Sequence, residues 1–196
     1  MRSDQTKSNR EVSWTESVAR RWARFGRLLA PLFLLTACAA MPQDPIKPVA
    51  HVDLGRFMGP WYVIASIPTF LEKNAYDAVE SYELNPDGTI ATTFTFRKGG
   101  FDGPAKTMKP HGFVLDKTSN ARWGMQFLWP IKAQYLIAYL DEAYTETIIA
   151  RDRRDYVWIM ARAPSLSPAD YERLRARVGE MGYDTSKLRL VPQQRP

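Results

Sequence analysis

Three kinds of side chain in this 196-residue chain invite a chemical reading: the single cysteine, Cys38, the two histidines, His51 and His111, and one carboxylate, Glu80, set among apolar neighbours. A thiol that works as a nucleophile or metal ligand needs a base or further ligands at defined spacing. Cys38 has none. The histidines stand apart, no Ser/His/Asp arrangement of known type occurs, and there is no Gly-rich phosphate loop. The sequence therefore assigns no catalytic residue, no metal site and no cofactor, and leaves Cys38 as a free thiol, a core residue or a group used outside the fold. Glu80 is harder to place. Alternation puts it on one face with Ala78, Tyr82 and Leu84, and a carboxylate turned into an apolar interior is costly unless paired or protonated. A contact to a ligand headgroup would satisfy that constraint; a local bulge that turns Glu80 outward satisfies it more readily. His111, after Pro110, is placed at a rim or on the plain surface.

The surroundings of Cys38 are informative. Arg20, Arg21, Arg24 and Arg27 precede the apolar run Leu28–Ala37, which ends in small residues, the layout of a secretory signal. That run is too short, and interrupted by Pro31, to be a spanning helix of about 20 residues. The string Leu35-Thr36-Ala37-Cys38-Ala39 resembles the lipobox of bacterial lipoproteins. The resemblance implies that residues 1–37 are removed as a signal peptide, that the Cys38 sulfur receives a diacylglyceryl group and that the new N-terminus is acylated. Two or more acyl chains make membrane attachment lasting, where one is marginal. Ala39 stands where an aspartate would favour the inner membrane, so the same resemblance implies an outer-membrane anchor facing the periplasm.

Removing the leader changes the charge reading. Residues 1–37 hold seven of the 27 Lys/Arg and three of the 21 Asp/Glu, so the remainder keeps 20 and 18, a net +2 in place of +6. The basic character belongs to the export signal, and a nucleic-acid surface is excluded as its cause. Residues 38–51, proline-rich and aperiodic, read as a flexible tether. With no second cysteine, the domain that follows cannot hold an internal disulfide and must be stabilised by its core. Residues 52–192 suffice for one such core, leaving 193–196 as a tail.

The elements that follow are short and β-like. Thr89–Arg97 alternates Ile90, Thr92, Phe94 and Phe96 against Ala91, Thr93, Thr95 and Arg97. Similar runs occur at 60–67, 78–84, 111–115, 121–128, 134–140, 145–150 and 156–162, eight strands in all, spaced about ten residues apart with Gly/Pro/Asn/Asp between them. This spacing predicts an antiparallel sandwich or barrel. One helix closes the sequence. Ser167 is its N-cap, Pro168 its first residue and Asp170 the capping partner, with Tyr171, Leu174, Val178 and Met181 as an apolar stripe and Gly182 at the end.

Gly59-Pro60-Trp61, Tyr135-Leu136-Ile137-Ala138-Tyr139-Leu140-Asp141 and Trp158-Ile159-Met160-Ala161-Arg162, in that order, resemble the three sequence signatures of the lipocalins, most closely those of the bacterial outer-membrane branch and of apolipoprotein D. The resemblance implies an all-β, eight-stranded antiparallel up-and-down barrel with one C-terminal helix packed outside. Gly59, Trp61 and Arg162 are then structural, the arginine lying across the tryptophan at the closed end. Continued alternation from Trp61 turns Val63, Ala65 and Ile67 inward, and the same exercise gives a ligand-binding lining of Ala65, Phe94, Phe96, Met125, Phe127, Tyr135 and Ile137. An apolar, aromatic lining suits an acyl chain. The expected partners are a fatty acid or lysophospholipid and the outer membrane through the anchor, in a non-enzymatic role, with monomer and dimer both open. A lipid-modifying barrel enzyme using Glu80 or a tyrosine, and an envelope interaction module with a filled barrel, are the competing readings.

Overall fold

The alternation of Thr89–Lys98 is realised as buried Ile90, Thr92, Phe94 and Phe96 between half-exposed neighbours, and this strand shows how the sheet is built. The structure, a computed structural model, describes residues 44–194; the expected signal peptide, residues 1–37, and Cys38 lie outside the described residues. A short helix α1 (Leu54–Phe57) leads into β1 (Gly59–Ile67), β2 (Ala75–Leu84), β3 (Thr89–Lys98), β4 (Ala105–Met108), β5 (His111–Val114), β6 (Arg122–Leu128), β7 (Ile131–Leu140), β8 (Glu146–Ala150) and β9 (Val157–Ala161). Helix α2 (Pro168–Glu180), a 3-10 turn (Thr185–Lys187) and β10 (Arg189–Leu190) follow. Neighbours pair antiparallel in the order β1-β2-β3-β5-β6-β7-β8-β9, and β9 pairs back onto β1 from Tyr62↔Ala161 to Ile67↔Val157. The sheet thus closes into an eight-stranded barrel, which removes its edges.

Two strands were not legible. β4 and β5 both pair with β3 and together make the fourth stave, interrupted at Lys109-Pro110. β4, the largely exposed Ala-Lys-Thr-Met, carries no alternation to reveal it. β10 is two residues long and adds to β1 through Ala65↔Leu190 and Ser66↔Arg189.

Because successive side chains point to opposite faces, the barrel has two apolar layers. Inside are Phe57, Trp61, Val63, Tyr82, Ile90, Phe94, Trp123, Met125, Tyr135 and Ile137 among others. Outside, Leu174 and Val178 of α2 cover Ile64, Ala65, Leu136, Ile148, Ile159 and Ala161. The helix begins as its sequence predicts: Asp170 donates its backbone N–H to the Ser167 hydroxyl (3.1 Å), which in turn donates to the Asp170 carboxylate (2.6 Å). It ends where Gly182, at φ +88°, turns the chain, with the Tyr183 N–H donating to the Val178 carbonyl (3.3 Å).

The expected tether ends earlier than residue 51. From Asp44 onward the chain is strapped to the barrel: the Arg154 guanidinium donates to the Asp44 carbonyl (2.6 Å), the Ile46 N–H to Asp152 Oδ1 (2.7 Å), the Val49 N–H to the Ile137 carbonyl (3.0 Å) and the Val52 N–H to the Ser119 carbonyl (2.8 Å). Ile46 is buried in the outer apolar layer, and an isolated isoleucine between prolines gives no periodicity by which to find it. At the other terminus, Gln193 donates to the Val63 and Ala78 carbonyls, so the ordered chain continues past residue 192.

Trp61 and Arg162 seal one end. The Arg162 guanidinium sits 3.9 Å from the Trp61 ring centre and donates to the carbonyls of Pro60 (2.7 Å), Arg56 (2.9 Å), Phe57 (3.0 Å) and Met58 (2.8 Å). These are carbonyls at the C-terminal end of α1 and just beyond it, where a cation is favoured. Gly59, at φ +91°, lets the chain turn there; a Cβ would lie 3.4 Å from Arg162 Nη1. Arg162→Ala removes both the ring contact and the charged donors, and its expected cost is about 2–4 kcal/mol in urea unfolding. Arg162→Lys is expected to recover less than half of that, because an ammonium cannot span four carbonyls.

Candidate functional site

Above the Arg162 seal the barrel is floored by aromatic rings. Phe57 packs on Trp61 (5.1 Å between centres), Tyr82 (5.5 Å) and Trp123 (5.5 Å), and Trp123 stacks on Tyr135 (5.5 Å). The indoles are satisfied locally: Trp61 Nε1 donates to the Phe57 carbonyl and Trp123 Nε1 to that of Asn120. These rings occupy the lower half of the barrel, so empty space starts only at the level of Glu80 and Tyr135.

That space is a cavity of about 250 Å³ reaching the end opposite Arg162. Phe94, Met125, Phe127 and Tyr135, all chosen from the sequence, line it together with Met108, Ala133 and Trp158. Three expected residues do not. Phe96 points inward but packs on Phe94 (5.3 Å) outside the cavity wall, and Ile137 lies in the inner core without reaching the cavity. Ala65 is a correction: pairing shifts between Val63↔Met160 and Ala65↔Ile159, so Ile64 is an extra residue and the phase reverses. Ala65 and Ile67 therefore face the outer layer beneath α2, and Ser66 is opposite Trp158.

Glu80 is the second correction. The irregularity in β2 falls earlier, between Tyr76 and Val79, so the bulge that would have turned Glu80 outward is absent from its position. The carboxyl is buried in the cavity wall, above the hydrogen-bonded hydroxyl pair of Tyr82 and Tyr135. Burial raises its pKa to about 8, against a smaller opposing pull from the Tyr82 hydrogen bond and a further push from Glu72. Burial also pushes both tyrosines upward, so near neutral pH all three groups are uncharged. The floor of the cavity thus presents hydroxyl and carboxylic acid groups without a fixed charge.

The mouth is different. Its loops are β1–β2 (68–74) and β8–β9 (151–156), with the tip of the β6–β7 hairpin opposite. Glu72 is held there by Thr69 Oγ1 (3.0 Å) and by Trp158 Nε1 (2.8 Å); burial nevertheless pushes its pKa up. Arg151 borders the same mouth, 3.4 Å from Asp155, and its Nε is buried with no hydrogen-bond partner among the described residues. A guanidinium that borders an apolar cavity mouth can receive an anionic headgroup in competition with Asp155. Sequence reasoning missed Glu72, Arg151 and Trp158. Trp158 could have been found by stepping back from Arg162 through Met160, but the two mouth residues sit on loops, where no periodicity points them inward. His51 lies far from the cavity, its ring against the Thr118 carbonyl, and His111 is exposed beside Thr89. Among the described residues no group of three or more His, Cys, Asp or Glu is placed to hold a metal ion, and no helix there is long and apolar enough to cross a membrane.

Comparisons with known proteins agree with this geometry. A family model described as a lipocalin-like domain matches residues 52–193. Temperature-induced lipocalin-1 of Arabidopsis thaliana is 34% identical over 163 residues, covering 77% of this chain and 84% of that protein. Outer membrane lipoprotein Blc of Escherichia coli K12 is 26% identical over 164 residues, covering 82% and 91%. Among solved structures, insecticyanin of the tobacco hornworm Manduca sexta superposes with a TM-score of 0.60 at 17% identity, covering 76% of this chain and 84% of that one, a likeness of fold.

Glu80 also gives the site a pH signature. Its folded pKa, about 8, lies above the ordinary value of 4.5. The native state therefore keeps a proton that the unfolded chain has lost between those limits. The stability this group contributes is whole below about pH 4.5 and is lost progressively as pH rises through 8. Glu80→Gln removes the dependence: its melting temperature is expected to match the parent's near pH 4.5 and to exceed it increasingly toward pH 8 in calorimetric scans.

Proposed function

The chain belongs to the lipocalin family, and we propose that it is a binding protein, not an enzyme, which takes the hydrocarbon tail of a fatty acid or lysophospholipid into its cavity while anchored to the outer membrane through lipid on Cys38. The observation that carries this reading is the cavity itself: an apolar and aromatic wall, a floor without fixed charge, and one guanidinium at the mouth. A cavity of 150 Å³ in an engineered core accepts benzene, so 250 Å³ has room for roughly ten carbons. Burying them gains roughly 8 kcal/mol before ordering and association costs are deducted. A longer tail extends to the mouth and brings its headgroup to Arg151. The neutral Glu80 is compatible with an apolar tail, as an ionised carboxylate would not be. Supporting the location are the lipobox resemblance around Cys38 and the similarity to a relative named as an outer membrane lipoprotein. The competing picture of a filled barrel is hard to reconcile with the void above Tyr135.

The test is displacement of a fluorescent fatty acid. Phe94→Trp adds an indole to the wall and excludes on the order of two methylenes, so affinity is expected to fall about tenfold or more. Arg151→Gln is expected to weaken a fatty acid several-fold and leave a monoacylglycerol, which lacks the anionic head, unchanged. Glu80→Gln is expected to retain uptake, whereas an enzyme reliant on Glu80 would lose turnover while still binding.

A further inference from the structure

Among the described residues, Leu84, Leu115 and Leu190 stand singly as exposed large apolar side chains, and the other six cluster at two places, both on the rim of the cavity mouth. Phe70 (82% exposed) and Leu71 (45%) project from the β1–β2 loop; Phe127 (54%), Leu128 (71%), Trp129 (82%) and Ile131 (66%) form the tip of the β6–β7 hairpin. In the cyclic strand order these two connections lie on opposite sides of the barrel, and Phe70, Leu71 and Phe127 also line the cavity. Large apolar side chains exposed together beside a cavity mouth point to a binding surface, and a tryptophan at a loop tip is the residue type favoured at a membrane interface.

The strap at the N-terminus indicates what covers the patch. Residues 44–52 run from the β8–β9 turn, where Arg154 and Asp152 hold Asp44 and Ile46, to Ser119 at the closed end. The chain preceding Asp44 therefore departs at the mouth end. Only five residues lie between Cys38 and Asp44, a reach of at most about 20 Å over six Cα–Cα steps. Exposed Lys73, Arg153 and Lys132 flank the apolar tips, and cations there suit phosphate headgroups.

We propose that the rim formed by Phe70–Leu71 and Phe127–Ile131 docks into a phospholipid bilayer surface, so that the cavity opens directly onto the membrane from which it takes its lipid. This rests on the anchoring reading above. Asp44, the apolar tips and the mouth share one end, so on the anchoring reading a tail can pass between bilayer and cavity without crossing water. Loss of hydrocarbon exposure along that path is what separates a docked carrier from one that waits for ligand in solution.

The mature full chain, reconstituted in phosphatidylethanolamine/phosphatidylglycerol vesicles, tests this with single-cysteine probes. Trp129→Cys places a bimane label at the rim, and Lys117→Cys places one at the closed end; both positions are exposed, so neither substitution disturbs the core. Nitroxide-bearing lipid is expected to quench the rim label several-fold more than the closed-end label, and Phe70→Asp in the same chain is expected to reduce that difference. Equal, weak quenching of both labels, with acyl chains found on Cys38 by mass spectrometry, would overturn the docking and leave the anchor standing. If Cys38 carries no acyl chain, the anchoring reading fails separately, and strong rim quenching would still support docking. Concentration-dependent crosslinking between Trp129→Cys chains without lipid quenching would mean that a second copy covers the rim, and it too would overturn the proposal.

Discussion

One guanidinium decides which end of this barrel is closed. Arg162 reaches across the closed end, stacks on Trp61 and donates to the carbonyls of four of the five residues Arg56 to Pro60. Two of those carbonyls, Arg56 and Phe57, end a helix of only four residues, too short to be stable alone. The arginine satisfies its exposed acceptors, the helix places Phe57 under the barrel, and Phe57 supports the stack of Trp61, Tyr82 and Trp123. Everything above depends on this support, because a cavity in a water-filled tube would have no dry floor.

The same arrangement explains why polar groups are tolerated inside. Tyr82 and Tyr135 satisfy each other, and Glu80 avoids the cost of a buried charge by keeping its proton. Ionic pairing is placed at the mouth, where Arg151 lies 3.4 Å from Asp155 and Glu72 is held by Trp158 and Thr69. The cavity therefore grades from apolar and neutral at depth to charged at the rim, a gradient that matches an amphiphile entering tail first.

Much of this was legible in the sequence where period and packing coincide. The alternation of Thr89–Arg97 and the Ser167 cap with its Asp170 partner emerged as read, and the Trp61–Arg162 contact is the one that the family resemblance implies. The failures share a physical cause. Ala65 was misplaced because one inserted residue, Ile64, reverses the side-chain phase, and nothing in the composition of the strand signals it. For Glu80 the favoured outward bulge falls instead between Tyr76 and Val79, and the buried carboxyl takes the other course open to it, keeping its proton. Ile46 was lost because a strap held by tertiary contacts needs no periodicity, and Arg151 and Glu72 because loops are positioned by the barrel and not by their own pattern.

The central claim is that an apolar cavity, closed at the Arg162 end and open at the other, holds one hydrocarbon tail. The most direct measurement is mass spectrometry of lipids extracted from the protein purified out of its native envelope, with protein quantified in the same sample. The account predicts a single-chain acyl lipid in near one-to-one ratio. Protein that carries no acyl lipid and takes up none when offered fatty acid or lysophospholipid would contradict it.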